Sequence, residues 1–337
     1  TAFAASAANA AVVYDNEGTK VELNGSLRVI MEKADKKEYD AANHSTKKSN
    51  SALRNAGSRF GITVKHNLDN DFYALGRVEF RFDDTTSRDK FGGVYAKRAY
   101  VGLGSKAIGE LKFGRQLTIA DDLTQANDYE YGLIPKGKYI PTSGTGVVRY
   151  DYKGIEGLQL SANYNFGQTN DEKGNPLKPG IKNAYAVGAL YTVGDLDARL
   201  AYGHTNFETG ASYAHRLDGV LASLGYKFGD FTLTGDFAYG HEKFDDEKTN
   251  KFYVAPGFAY QVLPASKVYG NYLYERVKGE NTKDKTHGFL LGADYQLHKQ
   301  VVVFLEGKYV TTKSYVNDAY DGKVKDRAIG VGMRVFF

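Results

Sequence analysis

The stretch VLASLGYKFGDFTLTGDFAY, residues 220–239, places two alternating segments on either side of a two-residue connector. Its apolar and aromatic face is formed by Val220, Ala222, Leu224, Tyr226 and Phe228, then by Phe231, Leu233, Gly235, Phe237 and Tyr239. The intervening positions are mostly small or polar. A period of two residues is the pattern of a β-strand with unlike faces. The stretch therefore predicts two strands joined by a tight turn at Gly229-Asp230.

The same alternation recurs along the chain, for example in residues 21–32, 158–166, 289–297 and 329–337. Very short connectors are predicted at 69–70, 194–195, 229–230, 264–265 and 298–299. Long polar connectors are predicted at 34–52, 85–93, 168–181, 245–250, 279–284 and 314–325. Short and long connectors take turns, as in membrane barrels with tight periplasmic turns and longer outside loops. Counting strands between connectors predicts an all-β fold: one sixteen-stranded antiparallel transmembrane β-barrel domain over residues 11–337.

Composition narrows the function classes. The 337 residues include 44 Lys and Arg against 40 Asp and Glu, and this net charge of +4 is too small to indicate nucleic-acid binding. Cysteine is absent, which excludes disulfides, zinc–thiolate sites and thiol catalysis. The 38 Gly, 26 Tyr and 19 Phe with only 6 Pro suit strands and tight turns. No apolar run approaches the roughly 18 residues of a helical membrane span.

The polar face carries the functional argument. A barrel of this many strands encloses a lumen too wide for side chains to fill, so its polar face lines water and its apolar face meets lipid. The chain also ends on an alternating strand at Phe337. An unpaired edge strand ending in Val-Phe-Phe would be an aggregation hazard, whereas closure of a barrel pairs both edges.

The first ten residues, TAFAASAANA, do not share the alternation. They end in Ala8-Asn9-Ala10, a small-x-small pattern typical of signal-peptidase sites. We predict that residues 1–10 are the remnant of a secretory signal peptide. A disordered alanine-rich terminus is the alternative.

Several short stretches carry a resemblance to a known family. They are residues 13–21 (VYDNEGTKV), Ser58-Arg59-Phe60-Gly61-Ile62, Tyr100-Val101-Gly102-Leu103, residues 109–116 (GELKFGRQ) and the terminal Phe337. With these pieces the chain resembles the general diffusion porins of Gram-negative outer membranes, of the trimeric sixteen-stranded type, and most of all the branch found in Haemophilus and Pasteurella relatives. The resemblance implies a homotrimer surrounded by outer-membrane lipid and lipopolysaccharide. It also implies that the barrel-assembly machinery reads Phe337.

The resemblance further implies a third outside loop that folds into the lumen. The matching segment is residues 117–145, the longest part without alternation, and a loop of that length is usually functional. Wall cations of the implied pore constriction are Arg59, Arg77, Arg81, Lys97, Arg98, Lys112 and Arg149. Parity leaves open whether Lys97 or Arg98 faces the lumen. The implied acidic groups are Glu79, Asp121, Asp128 and Glu130.

This loop departs from the family pattern, because Pro135 is followed by Lys136 and Lys138 instead of an acidic residue. We therefore expect a more basic constriction and weak anion selectivity. Arg115 is a candidate for the subunit interface, paired with Asp83, Asp84 or Asp89. The expected function is passive diffusion of small hydrophilic solutes and ions, without a metal or cofactor.

Three alternatives stay open at this point. One is a soluble β-sandwich adhesin, which extraction from membranes without detergent would support. A substrate-specific sugar channel would need aromatic side chains along the lumen, whereas most Tyr and Phe here have outward parity. An outer-membrane barrel enzyme could use paired acids or histidines. Candidates for it are Asp83-Asp84, Asp121-Asp122 and Asp245-Asp246, with His204, His215 and His241. Adjacent residues of a strand point to opposite faces, and no Gly-x-Ser-x-Gly motif occurs, so the enzyme is a weaker alternative than the sugar channel.

Overall fold

The computed structural model describes residues 10–210 and 213–337. The predicted signal-peptide remnant, apart from Ala10, lies outside these residues. Helical structure in the described ranges is limited to short 3-10 turns at Ile119–Asp122 and Lys136–Lys138. Residues 10–210 and 213–337 contain no helix with the length and hydropathy that a membrane crossing requires.

Nineteen strand segments form one antiparallel sheet. They are β1 (Ala11–Asn16), β2 (Thr19–Asp40), β3 (Ser45–Asn55), β4 (Arg59–Asn67), β5 (Phe72–Phe82), β6 (Val94–Ser105), β7 (Gly109–Leu117), β8 (Ser143–Ile155), β9 (Leu158–Asn165), β10 (Gln168–Asn170), β11 (Pro176–Val193), β12 (Leu196–Phe207), β13 (His215–Phe228), β14 (Phe231–Phe244), β15 (Glu247–Leu263), β16 (Ser266–Lys278), β17 (Thr282–His298), β18 (Val301–Val316) and β19 (Ala319–Phe336).

Three pairs of segments share one position in the wall, so the nineteen segments make a barrel of sixteen strands, as predicted. β3 and β4 lie end to end along β2, and β9 and β10 lie end to end along β11. β19 and β1 follow one another along the other edge of β2, from Asp40 to Ser26 and from Leu23 to Thr19. β1 and β19 therefore close the barrel together along β2.

The closing contact involves the last residue. Phe337 and Gly25 exchange two backbone hydrogen bonds of 3.0 and 2.9 Å. A Cβ on Gly25 would lie 2.5 Å from the Phe337 ring and 2.6 Å from the Arg59 carbonyl oxygen, so only glycine fits here. The prediction that the terminal strand has partners on both edges is confirmed, because β19 pairs with both β18 and β2.

The predicted lengths of the outside connectors are wrong for five of the six. Residues 34–52, which are predicted to be a loop, form a β-hairpin with a turn at 41–44. The turns at 171–175, 245–246, 279–281 and 317–318 are also short, with two to five residues each. Both faces of these hairpins are polar, which hides the alternation, but the ladder hydrogen bonds continue. Asn317 and Asp318 at one tip have positive φ values of 50° and 64°, as a type I′ turn requires.

The two faces of the sheet have the predicted chemistry. Outward positions carry exposed apolar side chains such as Leu291, which is 62% exposed, and Val101, which is 61% exposed. Inward positions carry charged and polar residues, together with apolar ones such as Leu221 and Phe304 where the loop at residues 118–142 covers the wall. We call this loop the long loop. It joins β7 to β8.

Candidate functional site

The long loop follows β7 and precedes β8, but it contacts the wall on the opposite side of the barrel. Ile119, Leu123, Tyr139 and Ile140 pack with inward-facing wall residues such as Leu221 in a fully buried apolar cluster. Tyr131 joins a second cluster, with Ile30, Tyr269, Leu290 and Phe304. Complete burial of one such aliphatic side chain stabilises the packed state by about 2 kcal/mol. The principal core of this barrel therefore lies between the long loop and the wall.

Two fully buried carboxylates fix the backbone of the loop. Asp236 of β14 accepts hydrogen bonds from the amides of Gln125 (3.0 Å) and Ala126 (3.2 Å) and from the hydroxyl group of Thr124 (3.1 Å). In the same way, Glu306 of β18 accepts from three successive loop amides, those of Tyr129 (2.8 Å), Glu130 (3.0 Å) and Tyr131 (2.6 Å). Hydrogen bonds to an ionised acceptor are roughly twice as strong as neutral ones, so these two residues are the main polar anchors of the loop.

Sequence reasoning missed both anchors. Asp236 has inward parity in the alternating stretch of residues 220–239, which is a usable signal. Glu306 follows a run of apolar residues, Val301 to Leu305, in which no alternation is visible.

Glycines make room for the loop on the same wall. A Cβ on Gly219 would lie 2.3 Å from the Tyr139 carbonyl oxygen, and one on Gly203 would lie 2.7 Å from Ile140 Cγ2. Both distances are shorter than any real contact. Inward glycines at these positions let the loop backbone approach the sheet closely.

The remaining wall, facing the loop, is basic. Arg59 of β4, Arg77 and Arg81 of β5 and Arg98 of β6 line one cavity of about 820 Å³, together with Glu79. Glu79 accepts from Arg77 (3.2 Å) and from Arg81 (3.0 Å). The cavity lining holds nine basic side chains and four acidic ones. The basic set is Arg59, Lys65, Arg77, Arg81, Arg98, Lys106, Lys112, Arg149 and Lys153; the acidic set is Glu79, Glu110, Asp122 and Asp151.

A β-bulge explains why parity could not choose between Lys97 and Arg98. Glu79 lies opposite Arg98 and Phe80 lies opposite Ala96, which leaves Lys97 without a partner residue in the ladder. The irregularity directs both side chains to one carboxylate, that of Glu172, at 3.8 Å from Lys97 Nζ and 3.5 Å from Arg98 Nη1. Both residues therefore lie on the same charged surface.

Lys112 and Arg149 also lie together with acids. Lys112 Nζ is 3.6 Å from Asp151, and the Arg149 guanidinium is 3.0 Å from Asp122 and 3.1 Å from Asp151. Asp122 belongs to the long loop, so Arg149 joins the start of the loop to the wall. Arg28 of β2 and Arg334 of β19 extend the basic surface, and Arg334 donates to the Tyr129 carbonyl at 2.7 Å. Neither arginine was among the predicted site residues, although both have inward parity.

The charged residues of the long loop differ in their surroundings. Glu130 accepts from Arg54 of β3 at 2.8 Å, and Lys136 lies 3.5 Å from Asp121. Lys138 is exposed, and its carbonyl oxygen accepts from Lys251 of β15 at 2.6 Å.

Asp128 of the loop has an unusual carboxyl group. Burial, reinforced by the nearby charge of Glu306, raises the pKa of Asp128 to about 6.

Arg115 does not pair with the acids proposed for it within this chain. It donates to the Ala96 carbonyl of β6 at 2.7 Å, whereas Asp83 and Asp84 pair with Lys173. Two of the candidate histidines lie in one row of the sheet, with His204 opposite Asp218 and Asp218 opposite His241, and His215 contacts Glu242 at 2.5 Å. His204 contacts Asp218 (2.7 Å) and His241 contacts Asn250 (2.7 Å), while Asp245 lies in a hairpin turn. Within residues 10–210 and 213–337 there is no cluster of His, Asp and Glu with the arrangement of a metal site.

Comparisons with known proteins agree with this architecture. The profile of the Gram-negative porin family matches residues 1–315. The chain is 31% identical to the major outer membrane protein of Pasteurella multocida strain Pm70, over all of this chain and 97% of that protein. Among solved structures, OmpT of Vibrio cholerae matches with a TM-score of 0.75 and 17% identity, over 97% of this chain and 99% of that one. An anion-selective porin from Comamonas acidovorans matches with a TM-score of 0.70 and 19% identity, over 95% and 100%.

These matches cover most or all of the chain and agree with the barrel fold. The chain belongs to the Gram-negative porin family and forms a general porin channel in the outer membrane.

Proposed function

We propose that the channel passes small hydrophilic solutes and ions by passive diffusion, with the long loop narrowing the lumen and with a weak preference for anions. The observation that carries the proposal is the opposition of the loop, fixed on Asp236 and Glu306, to a cavity whose lining has an excess of five positive charges. A pore lined by one sign of charge concentrates the opposite ion.

The geometry also supports a transverse field at the constriction. Arg59 and Arg81 lie on the wall, and Asp121 and Asp122 lie on the facing loop, with side chains 37% exposed. Such a field orients dipolar solutes and penalises bulky apolar ones. It requires no catalytic group, so we propose a channel rather than an enzyme.

A sugar-specific channel is less well supported. Tyr139 of the loop and Tyr253 and Tyr269 of the wall are fully buried, where a passing solute would not touch them. The basic cavity is lined by two tyrosines, Tyr73 and Tyr100, among many charged side chains, which is too few for a continuous aromatic path.

The test is a planar-bilayer measurement on purified protein. Wild type should conduct, and its reversal potential in a KCl gradient should favour chloride. Arg59→Gln removes a cavity cation whose guanidinium donates to the Gly57 carbonyl rather than to a carboxylate, so no acid is left unpaired. It should reduce the chloride preference, whereas the exposed hairpin variant Lys48→Gln should not. A wild-type pore that prefers potassium would contradict the proposal.

We further propose that the outer rim binds the phosphate groups of lipopolysaccharide. Arg276, Lys285, Lys313 and Lys323 lie directly opposite one another across four adjacent strands, β16 to β19, and face outward. Like charges directly opposite one another destabilise a sheet unless anions neutralise them. An aromatic row, Tyr272, Phe289 and Tyr309, lies four residues from this basic row, about 13 Å along the strands toward the membrane. It marks the edge of the bilayer.

This row can be tested without disturbing the pore. The double variant Lys285→Gln/Lys313→Gln should reduce the lipopolysaccharide that copurifies in detergent, while conductance stays unchanged. Equal lipopolysaccharide in wild type and variant would contradict the assignment.

Two assembly partners complete the proposal. The chain forms a homotrimer, which is supported by its likeness to a Vibrio cholerae OmpT structure described as a trimer form; Arg115 is a candidate interface residue. The barrel-assembly machinery would recognise Phe337, which closes the barrel against Gly25. The mass of the detergent-solubilised complex tests the trimer.

A further inference from the structure

The turn between β10 and β11 brings an acidic residue over the basic wall. The Asp171 carboxylate accepts hydrogen bonds from the amides of Lys173 and Asn175, both at 2.9 Å, which fixes the shape of the turn. This places the side chains of Glu172 and Lys173 in defined positions.

The Glu172 side chain is only 11% exposed and lies between two cations. Its carboxylate oxygens are 3.8 Å from Lys97 Nζ and 3.5 Å from Arg98 Nη1. Neither distance is short enough for a direct hydrogen bond, so the contact is mainly electrostatic. An aqueous anion could therefore replace Glu172 without breaking a hydrogen bond.

Lys173 holds the turn from the other side. It pairs with Asp84 and lies 3.8 Å from Asp83, both in the connector between β5 and β6. Its ammonium group also lies 5.4 Å from the centre of the Tyr95 ring. The turn is thus tied to a neighbouring loop, with Glu172 directed inward.

We infer that Lys97 and Arg98 form a subsite for the carboxylate groups of permeating solutes, and that Glu172 occupies this subsite as an internal carboxylate. Arg98 also lines the basic cavity, so the subsite adjoins the proposed permeation route. Glu172 neutralises charge that would otherwise attract anions, and thereby limits anion selectivity. This inference rests on the proposed diffusion function.

The key variant is Glu172→Gln, which keeps the shape of the side chain and removes its charge. In a KCl gradient, the ratio of chloride to potassium permeability should rise at least about twofold over wild type. Citrate, a small tricarboxylate, should block the current of Glu172→Gln at concentrations several-fold lower than those that block wild type. Replacing Lys97 and Arg98 by Gln in the Glu172→Gln background should abolish the added block.

The matched control is Glu280→Gln, an exposed acid in the turn between β16 and β17. It should leave selectivity and block as in wild type. If Glu172→Gln conducts normally but equals wild type and this control, the inference is wrong while the diffusion function stands. If wild type itself does not conduct, the diffusion function fails. If Glu172→Gln forms no channels, Glu172→Asp is the second variant, because it retracts the carboxylate by one methylene. It should shift the selectivity in the same direction. An unchanged selectivity of Glu172→Asp would then overturn the inference.

Discussion

At the scale of single residues, Glu306 is one of the two buried carboxylates that hold the long loop. It accepts three loop amides and the Tyr269 hydroxyl group while being fully buried. Glu306→Gln keeps the shape but turns one acceptor oxygen into a donor that faces an amide. We expect docking of the loop to weaken by about 2 kcal/mol. Single-channel recordings should then show brief closures that are absent from wild type.

The control for this variant is Asp318→Asn, an acid with a 94% exposed side chain at a hairpin tip. Its traces should match wild type. If the Glu306→Gln channel shows no more brief closures than wild type, docking of the loop does not depend on this anchor.

Asp128 gives the loop a pH dependence of its own. A carboxyl whose folded-state pKa is raised to about 6 from 3.8 binds a proton more readily in the docked loop than in the undocked chain. Docking is therefore strengthened as pH falls through 6, and the full gain is present below 3.8. The charges around Asp128 are Glu306, Asp236, Lys136 and Arg334, so the environment is mixed.

The measurement is hydrogen exchange of the loop amides, corrected for intrinsic rates. In wild type, protection should be higher at pH 5 than at pH 7.5. Asp128→Asn should raise protection at pH 7.5 and flatten the difference. An unchanged pH profile in Asp128→Asn would rule out Asp128 as its source.

At the scale of elements, the long loop and the glycines beneath it form one unit. Gly219→Ala would place a methyl group 2.3 Å from the Tyr139 carbonyl oxygen, a backbone atom that can move only with the loop. We expect the end of the loop near Tyr139 to be displaced into the lumen, and single-channel conductance to fall. The control variant is Gly307→Ala. Gly307 faces outward, and a Cβ on it would lie 3.5 Å from the nearest heavy atom. Equal conductance in both variants would mean that the loop adjusts without moving into the pore.

The sequence predicts elements well wherever one face meets lipid. There the alternation is enforced by two unlike solvents, as in residues 220–239, and both the strands and their parity follow. Above the membrane both faces meet water, so the hairpins at 41–44 and 317–318 are indistinguishable from loops by periodicity, and only turn residues such as Asn317 indicate them.

The candidate site is predictable to a lesser degree, for a related reason. Parity identifies inward cations such as Arg59 and Arg81, because it is a local property of one strand. The partners of those cations depend on contacts between distant parts of the chain. Glu172 lies more than seventy residues from Lys97, and Glu306 lies even farther from the loop that it holds, so no local pattern connects them.

At the scale of the whole molecule, we expect ion selectivity to depend more on the overall balance of charge in the cavity lining than on any single ion pair. The cavity lining has nine basic and four acidic side chains, although the chain as a whole has a net charge of only +4. The excess is therefore concentrated at the cavity through which we propose that ions pass. The opposite wall is covered by the long loop, so we expect permeating ions to travel along the basic side.

This asymmetry predicts how selectivity depends on salt. The field of the lining reaches across the lumen only while the Debye length, about 10 Å at 0.1 M, is comparable to the width of the opening. The chloride preference should therefore be clear in gradients around 0.1 M and should shrink toward the ratio of the free-solution mobilities near 1 M, where the length is about 3 Å. Reversal potentials at a fixed tenfold gradient and rising mean concentration measure this directly. A preference that stays constant over that range would mean that ions are selected by direct binding at a few groups, and the distributed charge of the wall would then not be its origin.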